Sequence, residues 1–260
     1  MPLTFYTFSS PPRFYALTGV LVPLCWLVAA GFAAVGLYMG FFVAPTDATQ
    51  GEVYRIIFIH VPTAWMSMLL YLVMAFWAAV GWAFRARLAS MVARAIAPTG
   101  ALFTFLALWT GALWGRPTWG TYWVWDARLT SELILLFLYL GYIALTEAID
   151  DTRRSDAAGA LLAVVGAVNV PIIYFSVKWW NTLHQGASVS LTAAPKMATT
   201  MLTAMLLMTV ACWAYAFAVV FMRTRAIILE RERGAQWVRE LAGAPAASAV
   251  PASLKEKVSR

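Results

Sequence analysis

Six stretches of this chain, at about 16–43, 56–84, 95–115, 129–149, 157–177 and 197–222, run for twenty residues or more almost without charge. About twenty consecutive apolar residues in a helix cross the roughly 30 Å of hydrocarbon in a bilayer. In lipid a single segment must satisfy its own backbone polar groups, and a helix does so. The pattern therefore predicts an all-α integral membrane protein, a six-transmembrane-helix bundle. Composition agrees, with 62% hydrophobic and 12% charged residues. A soluble domain usually carries about a quarter charged residues to cover its surface.

The basic residues orient the bundle. One set of connections holds Arg13, then Arg85, Arg87 and Arg94, then Arg153 and Arg154, then Arg223 and Arg225. The other holds Arg55, Arg116, Arg128, Lys178 and Lys196. The first set leads by eight to five, so the positive-inside rule places both termini in the cytoplasm. The net charge of +7 is spread between apolar runs and into the tail, a topology signal rather than a surface for nucleic acid. Arg13 followed by an apolar run resembles a secretory leader, but Phe14 to Val43 is too long for one and reads as the first span. Residues 1–225 form the transmembrane domain. Residues 226–260 read as a cytoplasmic amphipathic segment followed by a flexible Ala/Pro-rich tail with a basic end.

The chain has two histidines, and the topology sends both to the outer face although they stand 124 positions apart. His60 opens the second span in FIHVPTAW, and His184 lies in the last outer loop in KWWNTLHQGASVS. Neutral imidazole is a common metal ligand and an axial ligand of haem iron. Each histidine also reads as an interfacial polar residue bonded to backbone. The outer loop WGRPTWGTYWVWDARLTSE carries Trp114, Trp119, Trp123 and Trp125 within twelve positions, spaced by Gly115, Gly120 and Pro117. Such rings form either an aromatic belt at headgroup depth or a slab for stacking on a planar ligand. Asp126 is placed to cap the helix that follows. Arg55 and Arg128 are the cations near this face that could meet acidic groups on a ligand, and they serve equally as topology signals.

Other chemistry is missing from the sequence. There is no phosphate-binding GxxxxGKS loop and no GxGxxG. Cys25 and Cys212 sit singly in apolar runs, without CxxC or zinc spacing. No serine pairs with a histidine and a carboxylate. Glu132 and Glu147 lie toward opposite ends of one span and make a weak proton path. The chain is expected not to be an enzyme.

The run WGTYWVWDARLTSELILLFLYLGYIAL resembles the tryptophan-rich "WWD" signature of the haem-handling membrane proteins of cytochrome c biogenesis. The segments around His60 and His184 are similar to the CcmC family in particular, over about residues 10–225. The resemblance implies a protein of the bacterial inner membrane that holds haem b (iron protoporphyrin IX) at the periplasmic face. It implies delivery to the haem chaperone CcmE, in a complex with the ABC-type subunits CcmA and CcmB and with CcmD. It puts the two axial ligands on His60 and His184, and the motif on Trp119, Trp123, Trp125 and Asp126. Joined to the residue reading, this gives a Trp platform with bis-histidine ligation. A membrane b-type cytochrome that transfers electrons, and a permease or scaffold without cofactor, are the rival readings. The first usually ligates haem from histidines inside facing spans, whereas both histidines here lie toward one face.

Overall fold

The computed structural model describes residues 10–184, 186, 189 and 194–243, all helix and connection among those residues. Helix α1 (Pro11–Tyr38) runs on into a π turn (Met39–Val43), and a 3-10 turn (Glu52–Ile56) leads into α2 (Ile57–Phe84). Then follow α3 (Arg87–Trp119), α4 (Ala127–Ala148), α5 (Thr152–Gly166), α6 (Asn169–Trp179), α7 (Thr199–Arg231) and the short α8 (Gln236–Leu241). Helices α5 and α6 together make one span, so six units are long and apolar enough to cross a membrane. The protein is a multi-pass membrane protein.

The helices outrun the apolar stretches at several ends. The third span continues through Arg116 and Pro117 to Trp119 before Gly120 stops it. Gly120 takes φ 80°, where a side chain would be strained, and its N–H reaches Arg116 O at 3.1 Å. Charge marks where lipid ends, and the backbone ladder needs no lipid. The same reasoning carries the last span past Arg225 to Arg231. Ile228 is fully buried, and Arg231 makes two bonds to Asp156 at 2.8 and 2.9 Å. The amphipathic segment expected from residue 226 is thus partly the end of α7, with α8 after it. The tail beyond Gly243 lies outside the described residues.

Helix α1 packs along α7, and α2 along α3. Helices α4, α5 and α6 complete the bundle against α2 and α3. The core centres on Met66, Tyr71, Met74, Leu135, Tyr139 and Ile173. Small residues admit these large ones. A side chain at Gly100 would collide with the Tyr139 ring, whose hydroxyl donates to Ser67 O at 2.9 Å. Helix α1 is peripheral, with Thr18, Ala29 and Gly36 its buried residues. The Tyr15 and Trp237 rings lie 5.8 Å apart, so the two ends of the described chain meet at one end of the bundle.

The fifth span breaks at Ala167–Val168 because Pro171 cannot donate back to Ala167 O and its ring crowds that carbonyl. The break is stitched to α4 from outside the ladder. Asn169 Nδ2 donates to Ser131 O at 2.9 Å, and Arg128 Nη1 donates to Ile173 O at 2.7 Å.

Candidate ligand-binding site

At the end of the bundle opposite the two chain ends, His60 and His184 come together. Their ring centroids are 6.3 Å apart and their planes differ by 37°. The two rings line one cleft. Trp114, Trp119, Trp123, Arg128, Glu132 and Gly111 also line it. Its lining is apolar with few polar groups, as is usual for small-molecule sites.

His60 belongs to α2 and is 9% exposed. Its Nδ1 lies 3.0 Å from Thr110 Oγ1 on α3. The Thr110 hydroxyl spends its own proton on Leu106 O at 2.6 Å, so it accepts from the imidazole. That network assigns the ring proton to Nδ1 and leaves the Nε2 lone pair for a ligand. Gly111, the residue after Thr110, makes room for the ring. A Cβ there would stand 3.0 Å from His60 Cε1. Trp114 packs edge-on to His60 with centroids 5.5 Å apart, and its Nε1 donates to Gln50 Oε1 at 2.7 Å.

His184 sits on the irregular connection after α6, with Trp119 6.2 Å away between centroids. Its backbone N–H donates to Thr182 Oγ1 at 3.1 Å. Thr182 donates in turn to Asp126 Oδ2. Asp126 Oδ1 accepts from Leu129 N at 2.8 Å, the helix-capping bond its position announces.

The residues singled out in the sequence divide into two groups. Trp114, Trp119, Trp123, Arg128 and both histidines line the cleft. Trp125, Asp126 and Arg55 are not among its lining residues. Trp125 is 77% exposed, edge-on to Trp123 at 5.4 Å. Arg55, a candidate for a ligand's acidic edge, is engaged elsewhere in this structure. Its guanidinium is paired with Glu52 and donates to Gly40 O and Ala44 O at 2.7 and 3.0 Å. It serves the carbonyls left open where the first span unwinds into its π turn. The tryptophan "loop" also proves shorter than its text. Trp114 and Trp119 ride the last turns of α3, and only Gly120–Asp126 is irregular.

Sequence reasoning missed Thr110, Thr182 and Gly111, which carry no chemical signature of their own. Glu132 had a signal, as a carboxylate within a span. It forms part of the cleft lining, with Oε1 accepting from Ser67 Oγ at 2.7 Å. Its Oε2 and Trp123 Nε1 are buried without a hydrogen-bond partner among the described residues. An orphaned acceptor and an orphaned donor lining one cleft suit a site built for a guest with polar edges.

Among the described residues no three His, Cys, Asp or Glu side chains group around a common point as a bare metal ion would require. Two imidazoles suit a metal that brings its remaining ligands with it, as iron does in a macrocycle. Two metal–nitrogen bonds of about 2 Å each, plus the depth of the rings, sum to roughly 6 Å, which matches the observed separation of the ring centres. The residues present fit such a guest.

Comparison with known proteins agrees with this chemistry. The family profile described as "CcmC: Heme exporter protein C" matches residues 4–239. The chain is similar to "Heme exporter protein C" of Escherichia coli K12, 44% identical over 242 residues, covering 92% of this chain and 96% of that protein. It is 54% identical over 189 residues to the "Heme exporter protein C" of Bradyrhizobium diazoefficiens, covering 72% and 71%. A "Putative cytochrome c biosynthesis ccmC-like mitochondrial protein" of Marchantia polymorpha is 46% identical over 171 residues, covering 66% and 71%.

Proposed function

The chain belongs to the heme exporter protein C family, CcmC, and from that premise we propose that it binds haem b in the His60–His184 cleft and hands it on during cytochrome c maturation. Haem here is cargo rather than a resident cofactor. The observation that carries the reading is the meeting of two histidines, 124 positions apart in sequence, within 6.3 Å in a tryptophan-lined cleft. His60, with its Nε2 lone pair left open by Thr110, supplies one axial ligand. His184 supplies the other. Trp119 and Trp123 present aromatic surface to the macrocycle, and Trp114 packs behind His60. Arg128 meets an acidic edge of the haem, in keeping with its place in the lining.

The cleft faces the periplasm of the bacterial inner membrane, with both termini cytoplasmic, as the excess of basic residues on the opposite connections argues. The receiving partner is the haem chaperone CcmE, and the protein works beside the ABC-type subunits CcmA and CcmB and the small CcmD. Exposed Trp125 offers that partner an aromatic surface beside the cleft. Two axial imidazoles keep the iron six-coordinate while it waits, and transfer requires one of the two bonds to break. The chain itself is a carrier, with no bond-making chemistry of its own.

The test is the haem that copurifies with the full-length protein. His60→Ala and His184→Ala are each expected to lose most of it or to change its absorption spectrum. Unchanged haem content and spectrum in both would overturn the reading.

A further inference from the structure

The two histidines are carried by different kinds of scaffold. His60 is on a continuous helix and is oriented by a neighbouring helix through Thr110. His184 is on irregular chain, and a short relay reaches it from the tryptophan-rich connection. Asp126 accepts Leu129 N–H with one oxygen and the Thr182 hydroxyl with the other, and Thr182 accepts His184 N–H. The directions are forced. A carboxylate only accepts, so Thr182 must give it the hydroxyl proton, which leaves the oxygen lone pairs for the amide of His184. A single carboxylate thus ties the start of α4 to the backbone that bears the second histidine, across 56 positions of sequence between residues 126 and 182.

We propose that Asp126 and Thr182 are positioning residues for the second axial ligand. Through the Thr182 hydroxyl, Asp126 holds the His184 backbone at the separation from His60 that ligation requires, and itself touches neither iron nor macrocycle. The acid of the tryptophan-rich motif then has a task that the cleft lining alone does not reveal. The bond is to a charged acceptor and is correspondingly strong. The His60 side is set independently, so loss of the relay loosens one ligand and spares the other. This inference rests on the reading of His60 and His184 as haem ligands.

The full-length protein, purified with the haem it carries, supplies the test. The readouts are its absorption spectrum and the rate at which carbon monoxide binds the reduced form. Thr182→Val keeps the shape of the side chain and removes both bonds. Asp126→Asn keeps an oxygen for the helix cap but replaces the other acceptor with an amide donor. Each is expected to convert part of the six-coordinate spectrum to five-coordinate and to speed carbon monoxide binding about tenfold, the usual scale for a group supporting a metal ligand. The double variant is expected to be no worse than either single one, since both break one relay. Thr182→Ser and added imidazole are each expected to restore the six-coordinate spectrum.

A wild-type spectrum and rate in Asp126→Asn, or effects that add in the double variant, would overturn the inference. So would a deeper loss of haem in Asp126→Asn than in His184→Ala, because the relay acts through that one ligand. Should Thr182→Val fail to accumulate in the membrane, Asp126→Asn and Thr182→Ser decide the matter by themselves. His60→Ala and His184→Ala run in parallel. If both leave the spectrum unchanged, the ligand reading fails; if they alter it while the relay variants do not, only the positioning role fails.

Discussion

The two walls of the cleft reach similar ends by opposite means. The wall bearing His60 is helix against helix. Thr110 and Gly111 on α3 fix the ring of a residue on α2, and the bulk of the core lies beneath them. The wall bearing His184 is made of chain ends: the last turn of α3, the seven irregular residues Gly120–Asp126, the start of α4, and the connection after α6. Side-chain bonds hold it together, from Arg128 to Ile173 O, from Asn169 to Ser131 O and from Thr182 to Asp126. A site proposed to grip a cargo and then surrender it gains from such inequality. On the proposed reading, the helical wall would keep the guest in register and the bonded wall would be the one to yield.

Substitutions on either wall can break this contrast, and the deepest loss is expected where the helices meet. Gly111→Leu drives a side chain into the space of the His60 ring. Haem content is expected to fall more than tenfold while circular dichroism shows unchanged helix; retained haem would mean the stiff wall is not stiff. Thr110→Val removes the acceptor that fixes the His60 tautomer. Haem loss to excess apomyoglobin is expected to quicken about tenfold, with Thr110→Ser close to wild type. Arg128→Met removes a bond that stitches α4 to the broken fifth span, and with it the guanidinium that lines the cleft. Haem occupancy is expected to fall about fivefold, equivalent to roughly 1 kcal/mol, the scale of a modest hydrogen bond. Arg55→Gln is expected to leave the haem spectrum untouched and to lower the thermal midpoint of the protein slightly. A changed spectrum in that variant would return Arg55 to the site.

Much of this arrangement was legible in the residues. Charge-free runs located the spans because hydrocarbon excludes charge, and the parity of those spans sent both histidines to one face. Asp126 announced its cap through its place before an apolar helical stretch. The limits are also physical. Runs of hydropathy mark the lipid boundary and not the helix end, so Trp114 and Trp119 read as loop when they stand on α3. Arg55 and Arg128 are the same residue type near the same face, and only packing shows one engaged with the carbonyls of a π turn and the other in the cleft lining. Thr110, Thr182 and Gly111 act through a hydroxyl's direction or a missing methyl group, and one-dimensional pattern does not encode either. Pro171 did carry a readable signal for the break in the fifth span, because its missing donor points to the carbonyl four residues before it.

Helix α2 is also a ruler. The chain turns sharply at Arg85, the one described non-glycine residue with positive φ, at 53°, and His60 lies 25 residues before it on the same helix. At about 1.5 Å per residue that is roughly 38 Å, against about 30 Å of hydrocarbon. On the proposed orientation, with Arg85 at the cytoplasmic surface, that length brings His60 to the far edge of the oily layer, where its ring stays buried between helices. On that orientation the depth of the cleft follows from a residue count.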